Sequence, residues 1–195
     1  MMRQRILPVI FIAIALLLSI LALFTYSKWL SARSVTYQQL EASLAAGRWK
    51  EADRITAKLI LVKASGGDLN GILSDGVGYS KFTEFPCKDL LAIDKLWLKY
   101  SKNRFGLSVQ EAILQPKLQE TDEIILAKQD KLREQVGWSG VPPYTLNFSL
   151  QAPKGHLPSD SWVFDAAPAH TIDGMDIYKF DALLLRTKEC SLKKF

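Results

Sequence analysis

The longest apolar run in the chain is Ile6 to Ser27, ILPVIFIAIALLLSILALFTYS, and it holds no charged residue. As a helix it would rise about 33 Å, enough to cross a hydrocarbon core about 30 Å thick. Pro8 lies near its start, where a helix tolerates proline, and Tyr26 and Trp29 stand at its exit, where amphipathic rings favour the membrane interface. A cleaved signal peptide is the rival reading. The run is long for that role, and no clear small-x-small cleavage site follows it. The pattern therefore predicts a short basic N-terminus at 1–5, a transmembrane helix at 6–27, a juxtamembrane linker at 28–35 and a soluble domain at 36–195.

Within the domain the spacing is mostly helical. Tyr37, Leu40 and Leu44 lie on one stripe, Gly47 offers a stop, and Trp49, Ala52, Ile55, Leu59 and Ile60 form a second stripe, which predicts an antiparallel hairpin. This hairpin also looks like half of a TPR-type repeat, but no second copy follows at that period, so an array is rejected. Ser65 to Phe85 carries five glycines and reads as a connecting loop. Pro86 opens the next helix, with Leu90, Ile93, Trp97 and Tyr100 along one face and Leu91 and Leu98 on another. Ser108 and Glu111 have capping-box spacing and predict a helix start. Thr121 to Gln135 reads as a helix with Ile124, Ile125, Ala127 and Leu132 inward. Tyr144, Leu146, Phe148 and Leu150 alternate with polar residues, a pattern for a short extended segment. Gln151 to Tyr178 has no clear period and reads as a long functional or disordered loop. Phe180 to Leu192 closes the chain as an apolar helix.

The net charge of +5 changes meaning once it is divided. Residues 1–33 contain Arg3, Arg5, Lys28 and Arg33 and no acid, which leaves +1 for the rest. A near-neutral domain lacks the basic footprint of a nucleic-acid binder. The same charges make orientation nearly even, leaning slightly toward a cytoplasmic N-terminus with the domain on the far side. Two cysteines, Cys87 and Cys190, cannot define a disulfide scaffold. They would pair only in an oxidising compartment, and two buried free thiols are the plainer expectation.

The motifs of the common enzyme classes are missing: H-E-x-x-H, G-x-S-x-G, C-x-x-C and G-x-G-x-x-G do not occur. Asp89 and Asp94 are five residues apart on one predicted helix, about 140° around its axis, so they do not face each other as an acid pair. Asp94 is expected to bind a neighbouring backbone or a cation. His156 and His170, with the two cysteines, lack metal-ligand spacing. A surplus of aliphatic and aromatic surface beside a long loop suits a flat organic ligand instead. A porphyrin would need Trp, Phe and Leu beneath it and Arg or Lys at the rim.

Phe85 to Gln110, FPCKDLLAIDKLWLKYSKNRFGLSVQ, resembles the signature of the genomes-uncoupled tetrapyrrole-binding regulators, approximately F-P-C-x-D-L-x-x-I-D-x-L-W-x-K-Y-S-x-x-x-F-G-F-S-V-Q. LEASLAAGRWKEADRITAKLIL upstream, and Trp138, LNFSLQAPKGHLP and ECSL downstream, are similar to the same family, so the likeness spans roughly residues 36 to 192. It implies an all-α domain shaped like a cupped hand, preceded here by the one transmembrane helix, and a non-enzymatic role. The implied ligand is protoporphyrin or magnesium-protoporphyrin, with no cofactor required. The implied partner is a porphyrin-handling enzyme subunit, as in stimulation of magnesium chelatase. Carried onto this chain, the palm candidates are Leu98, Phe105, Leu107 and Val109, then Trp138, His156, Leu157 and Pro158. Leu107 replaces the second aromatic of F-G-F. The loop carries Asp160, Asp165, Asp173 and Asp176, with no arginine between Arg133 and Arg186. Porphyrin propionates would meet a less favourable field at that loop. The alternative function is a membrane-anchored protein-interaction module that keeps the fold without the ligand.

Overall fold

A computed structural model describes residues 36–67, 78–138, 146–159 and 175–192, with the side chains of the last stretch from 178 onward. The transmembrane helix and linker expected at 6–27 and 28–35 lie outside the described residues, as do Asp160, Asp165, His170 and Asp173 of the long loop. Among the described residues, no helix is long and apolar enough to cross a membrane.

These residues form seven helices and no strand: α1 Tyr37–Ala45, α2 Trp49–Ala64, α3 Tyr79–Thr83, α4 Cys87–Ser101, α5 Leu107–Leu114, α6 Asp122–Val136 and α7 Met175–Leu192. Thr36 starts α1 with a capping box. Its hydroxyl accepts from the Gln39 N–H at 3.2 Å, and the Gln39 side chain accepts from the Thr36 N–H at 2.9 Å. Gly47 turns the chain between α1 and α2 at a φ of +67°, a conformation that glycine adopts without cost. The α2 stripe is interior as its spacing predicts, with Ala52 and Ile60 fully buried. A third constraint fixes the hairpin against α4. The Tyr37 hydroxyl donates to Asp89, which also pairs with Lys63 at 3.2 Å.

α1 and α2 pack on each other, and α1 on α4. α7 is the axle of the other half, packing against α3, α4, α5 and α6. The core is aromatic at its centre. Trp49 lies 6.2 Å from Trp97 and 5.8 Å from Phe105, ring to ring, and the Trp97 indole N–H donates to the Thr56 hydroxyl at 2.9 Å. That bond lets a large ring be wholly buried without an orphan donor.

Four expectations change. Cys87 and Cys190 are not free thiols but a disulfide, with Cα atoms 5.3 Å apart. It ties the start of α4 to the end of α7 and closes a long loop, which restricts the unfolded chain. Ser108 does not cap α5 with Glu111. The helix starts at Leu107, and the Ser108 N–H donates instead to Asp94 Oδ1 of α4 at 2.9 Å. Asp94 thus meets a neighbouring backbone, as expected of it. Burial pushes its carboxyl above the usual range, and the Ser108 hydrogen bonds pull it back. The described part of the alternating segment, Leu146 to Leu150, is irregular rather than extended, and no strand edge occurs among the described residues to pair with it. On α6, Leu132 is buried, but Ile124 is 46% exposed and Ala127 also faces out. Ile125, which shares a surface pocket with Tyr79 and Tyr178, is half-buried.

Trp97→Ala should destabilise the protein by about 3–5 kcal/mol, the range for deleting a buried indole. Urea unfolding of the full chain in detergent measures it, and a loss under about 1 kcal/mol would mean that the cavity collapses or fills.

Candidate ligand groove

The segment from Leu146 to Ser159 contains the GHLP motif, and it is an inserted core element rather than an open loop. Gly106 N–H donates to Leu157 O at 3.0 Å, and Gly155 N–H donates to Arg104 O at 2.9 Å. The buried Gln110 amide donates to Gly155 O at 2.8 Å and to Pro158 O at 2.6 Å. Trp138 Nε1 donates to His156 O at 2.9 Å. His156 is 1% exposed. Its Nδ1 lies 2.6 Å from Val136 O and its Nε2 accepts the Asn147 N–H at 2.9 Å, which assigns the neutral tautomer protonated on Nδ1. Burial depresses its pKa, and the Val136 carbonyl offsets part of that.

Glycine is required at the heart of this joint. Gly106 has a φ of +144°, and an added Cβ would sit 2.7 Å from Asp94 Oδ1 and 3.3 Å from Leu98. The far end of the segment is clamped to α2. Asp53 Oδ1 accepts the Ser159 N–H at 2.6 Å, and Oδ2 accepts the Ser159 hydroxyl at 2.7 Å.

This clamp sets Leu146 and Phe148 beside the outer face of α2 and creates a groove of about 650 Å3. That volume falls within the ordinary range for small-molecule sites. Trp49, Ala57, Leu146 and Phe148 supply its apolar surface, and Arg48, Lys50, Arg54 and Lys58 line the rest together with the acids Glu51 and Asp53. Lys50 Nζ stands 5.9 Å from the centre of the Phe148 ring, within cation–π reach. Arg54 makes two bonds to Glu51, at 2.5 and 3.1 Å, which hold the Glu51 carboxyl below its usual range. Both are largely exposed, so the pair adds little stability and is free to exchange partners.

The residues proposed from sequence as the palm lie one layer deeper. Phe105, Leu107 and Leu157 are fully buried, Trp138 is 2% exposed and Val109 8%; Pro158 is buried and Leu98 half-buried. Several of them meet in the interior: Phe105 braces Trp49 edge to face, and Trp138 bonds His156 and lies 5.8 Å from Phe180, ring to ring. The groove cations and Phe148 are not among the residues that the family resemblance points to. Lys50, Arg54 and Lys58 nonetheless recur every fourth residue in the sequence and so share one face of α2.

Helices braced by an embedded loop, with an apolar groove rimmed by cations, make this an all-helical domain among the described residues. A family model described as GUN4-like matches residues 30–171, and the chain belongs to that family. The uncharacterized protein ycf53 of Pyropia yezoensis is 28% identical over 134 residues, 66% of this chain and 52% of that protein. The chloroplastic tetrapyrrole-binding protein of Arabidopsis thaliana is 30% identical over 131 residues, 63% of this chain and 47% of that protein. The chain spans about half the length of the curated relatives it matches. Two solved structures share the fold. The ligand-free structure of Arabidopsis thaliana GUN4 aligns with a TM-score of 0.56 and 22% identity, over 79% of this chain and 99% of that one. GUN4 from Chlamydomonas reinhardtii aligns with a TM-score of 0.57 and 24% identity, over 78% and 88%.

A histidine held neutral by burial binds fewer protons folded than unfolded, so its contribution to stability is present above its unfolded pKa of 6.5 and is lost as pH falls below that value. His156→Gln should therefore flatten the loss of stability between neutral and mildly acidic pH. Thermal melts of both proteins across that range measure it, and parallel curves would exclude His156 as the group responsible.

Proposed function

We propose that this protein is a membrane-anchored, non-enzymatic tetrapyrrole-binding regulatory module that holds a porphyrin against α2 and Phe148. The carrying observation is the groove itself. It pairs an aromatic and aliphatic surface with four cations, its two carboxylates being bonded within the protein, Glu51 to Arg54 and Asp53 to Ser159, and a porphyrin has apolar faces and carboxylate edges. Family membership and the tetrapyrrole-binding Arabidopsis relative support the same reading. Arg48, Lys50, Arg54 and Lys58 would meet the propionates, and Phe148 and Leu146 would lie against the ring. Phe105, Leu107, Val109, Trp138, His156, Leu157 and Pro158 would keep that surface in place, with Leu98 at its margin. Protoporphyrin or its magnesium complex is the ligand we favour, and an enzyme subunit that handles porphyrins is the partner. The uncharged run at 6–27 would keep this exchange at the bilayer.

Titrating the full chain in detergent micelles with protoporphyrin should quench tryptophan fluorescence saturably at micromolar ligand. Phe148→Ala and Arg54→Glu should each weaken binding at least about tenfold, equivalent to about 1.4 kcal/mol. Absence of saturable quenching, with a partner protein still captured through this face, would favour the interaction module that lacks a ligand. Unchanged affinity in both variants would move the site elsewhere. Deleting residues 6–27 should shift the chain from the membrane pellet to the supernatant on fractionation. If the deleted form stays in the pellet after a carbonate wash, the anchor lies elsewhere.

A further inference from the structure

One wall of the α2 groove hangs on a single titratable side chain. Leu146 and Phe148 line the groove, and Asn147 stands between them. The Asn147 N–H donates to His156 Nε2 at 2.9 Å. Among the described residues, no other hydrogen bond joins 146–150 to a residue beyond the turn that follows, where the Gln151 N–H donates to the Ser149 hydroxyl and the Ala152 N–H to Ser149 O. The rest of the segment is held without that bond. Gly106 N–H donates to Leu157 O, Gly155 N–H donates to Arg104 O, and Ser159 is clamped to Asp53.

Both nitrogens of the His156 ring are committed. Nδ1 donates to Val136 O at 2.6 Å, so the Nε2 lone pair alone is left to accept Asn147. A ring placed between a carbonyl and an N–H is complementary to the neutral form only. A proton taken from solvent onto Nε2 sets N–H against N–H. Turning the ring over does not help, because both nitrogens then carry hydrogen. The simplest relief is departure of residues 146–150, which also admits the water that a buried imidazolium needs. The surroundings offer no counter-charge. Around the ring, α2 carries Asp53, α5 Glu111, α6 Arg133 and Glu134, α7 Lys179 and Asp181, and the loops Arg104 and Lys154. Among the described residues, none of these charges acts on the imidazole, and Arg104 is occupied by Ala152 O at 2.6 and 2.9 Å.

We propose that His156 is an acid-operated latch on the groove: its protonation frees the Asn147 N–H, releases Leu146 and Phe148 from α2, and so lets a bound porphyrin go. The ligand part rests on the groove being the porphyrin site, and the latch itself does not. Linkage fixes the direction. Burial holds the latched imidazole below its ordinary 6.5, and the released ring returns to that value. Release is therefore favoured as pH falls below 6.5, by at most about tenfold per pH unit.

Hydrogen exchange on the full chain in detergent micelles measures the latch. Corrected for intrinsic exchange, protection of the Asn147 amide should fall at least about threefold between pH about 7.5 and about 5.5, whereas the Gly106 and Gly155 amides stay protected. In His156→Gln, whose amide accepts from Asn147 and donates to Val136 without titrating, protection at Asn147 should not change with pH. If that variant fails to fold, ring nitrogen shifts in His170→Gln, where His156 is the one histidine left, take its place. Nε2 should then gain its proton in step with the loss of protection at Asn147. The latch is overturned if protection at Asn147 is equal at both pH values, if His156→Gln loses it equally, if Nε2 protonates while Asn147 stays protected, or if Gly155 opens together with Asn147. At the lower pH, protoporphyrin should bind the unmodified chain at least about threefold more weakly than His156→Gln, the ligand's own protonation being common to both. A latch that opens while the two affinities stay equal overturns the groove as the porphyrin site. Saturable quenching with pH-independent protection at Asn147 overturns the latch and leaves the groove.

Discussion

Asp53 and Ser159 are 106 residues apart in the chain and are joined by two short hydrogen bonds in a nearly dry site. Much of the groove depends on that clamp. A buried carboxylate is tolerated only when its oxygens are bonded, and here the hydroxyl and the backbone N–H of one serine supply both donors. The cost of burying Asp53 is thereby converted into a positional constraint: the end of the embedded segment cannot slide along α2 without stranding a charge. Phe148 and Leu146, anchored through Asn147 to His156 and so to the same segment, hold their places beside Trp49 for the same reason.

The rest of the embedded segment is held by backbone rather than by side-chain bulk. Gly106, Gly155, Arg104 and Leu157 exchange main-chain hydrogen bonds, and Gln110 spans two further carbonyls. Such a joint needs close approach of two chains, which explains the glycine at position 106, where any side chain would strike Asp94. It also explains why the palm candidates are interior. They are the residues on which the segment is seated.

The α2 groove gathers Arg48, Lys50, Arg54 and Lys58 together with Glu51 and Asp53. A domain with a near-zero sum can therefore still concentrate cations at one face, acting over the few ångströms that matter for a bound group. Net charge weighs against a nucleic-acid footprint but cannot report such a concentration.

By itself the sequence determined the α1–α2 hairpin, the α2 and α4 core stripes, the family and the helices other than α3, which lies in the stretch read as a connecting loop. Each depends on short-range periodicity or on a dense motif, and Trp97 or Ile60 is buried wherever its helix packs. It also held the cationic face of α2 in plain spacing. Only the tertiary structure decided that Cys87 meets Cys190, that Asp94 rather than Glu111 serves the start of α5, that Ile124 faces outward, and that His156 is sealed between Val136 and Asn147. The physical reason is common to all four. Each outcome depends on a partner or neighbour that sequence spacing does not reveal, and a polar or reactive side chain takes whichever partner the packed fold presents.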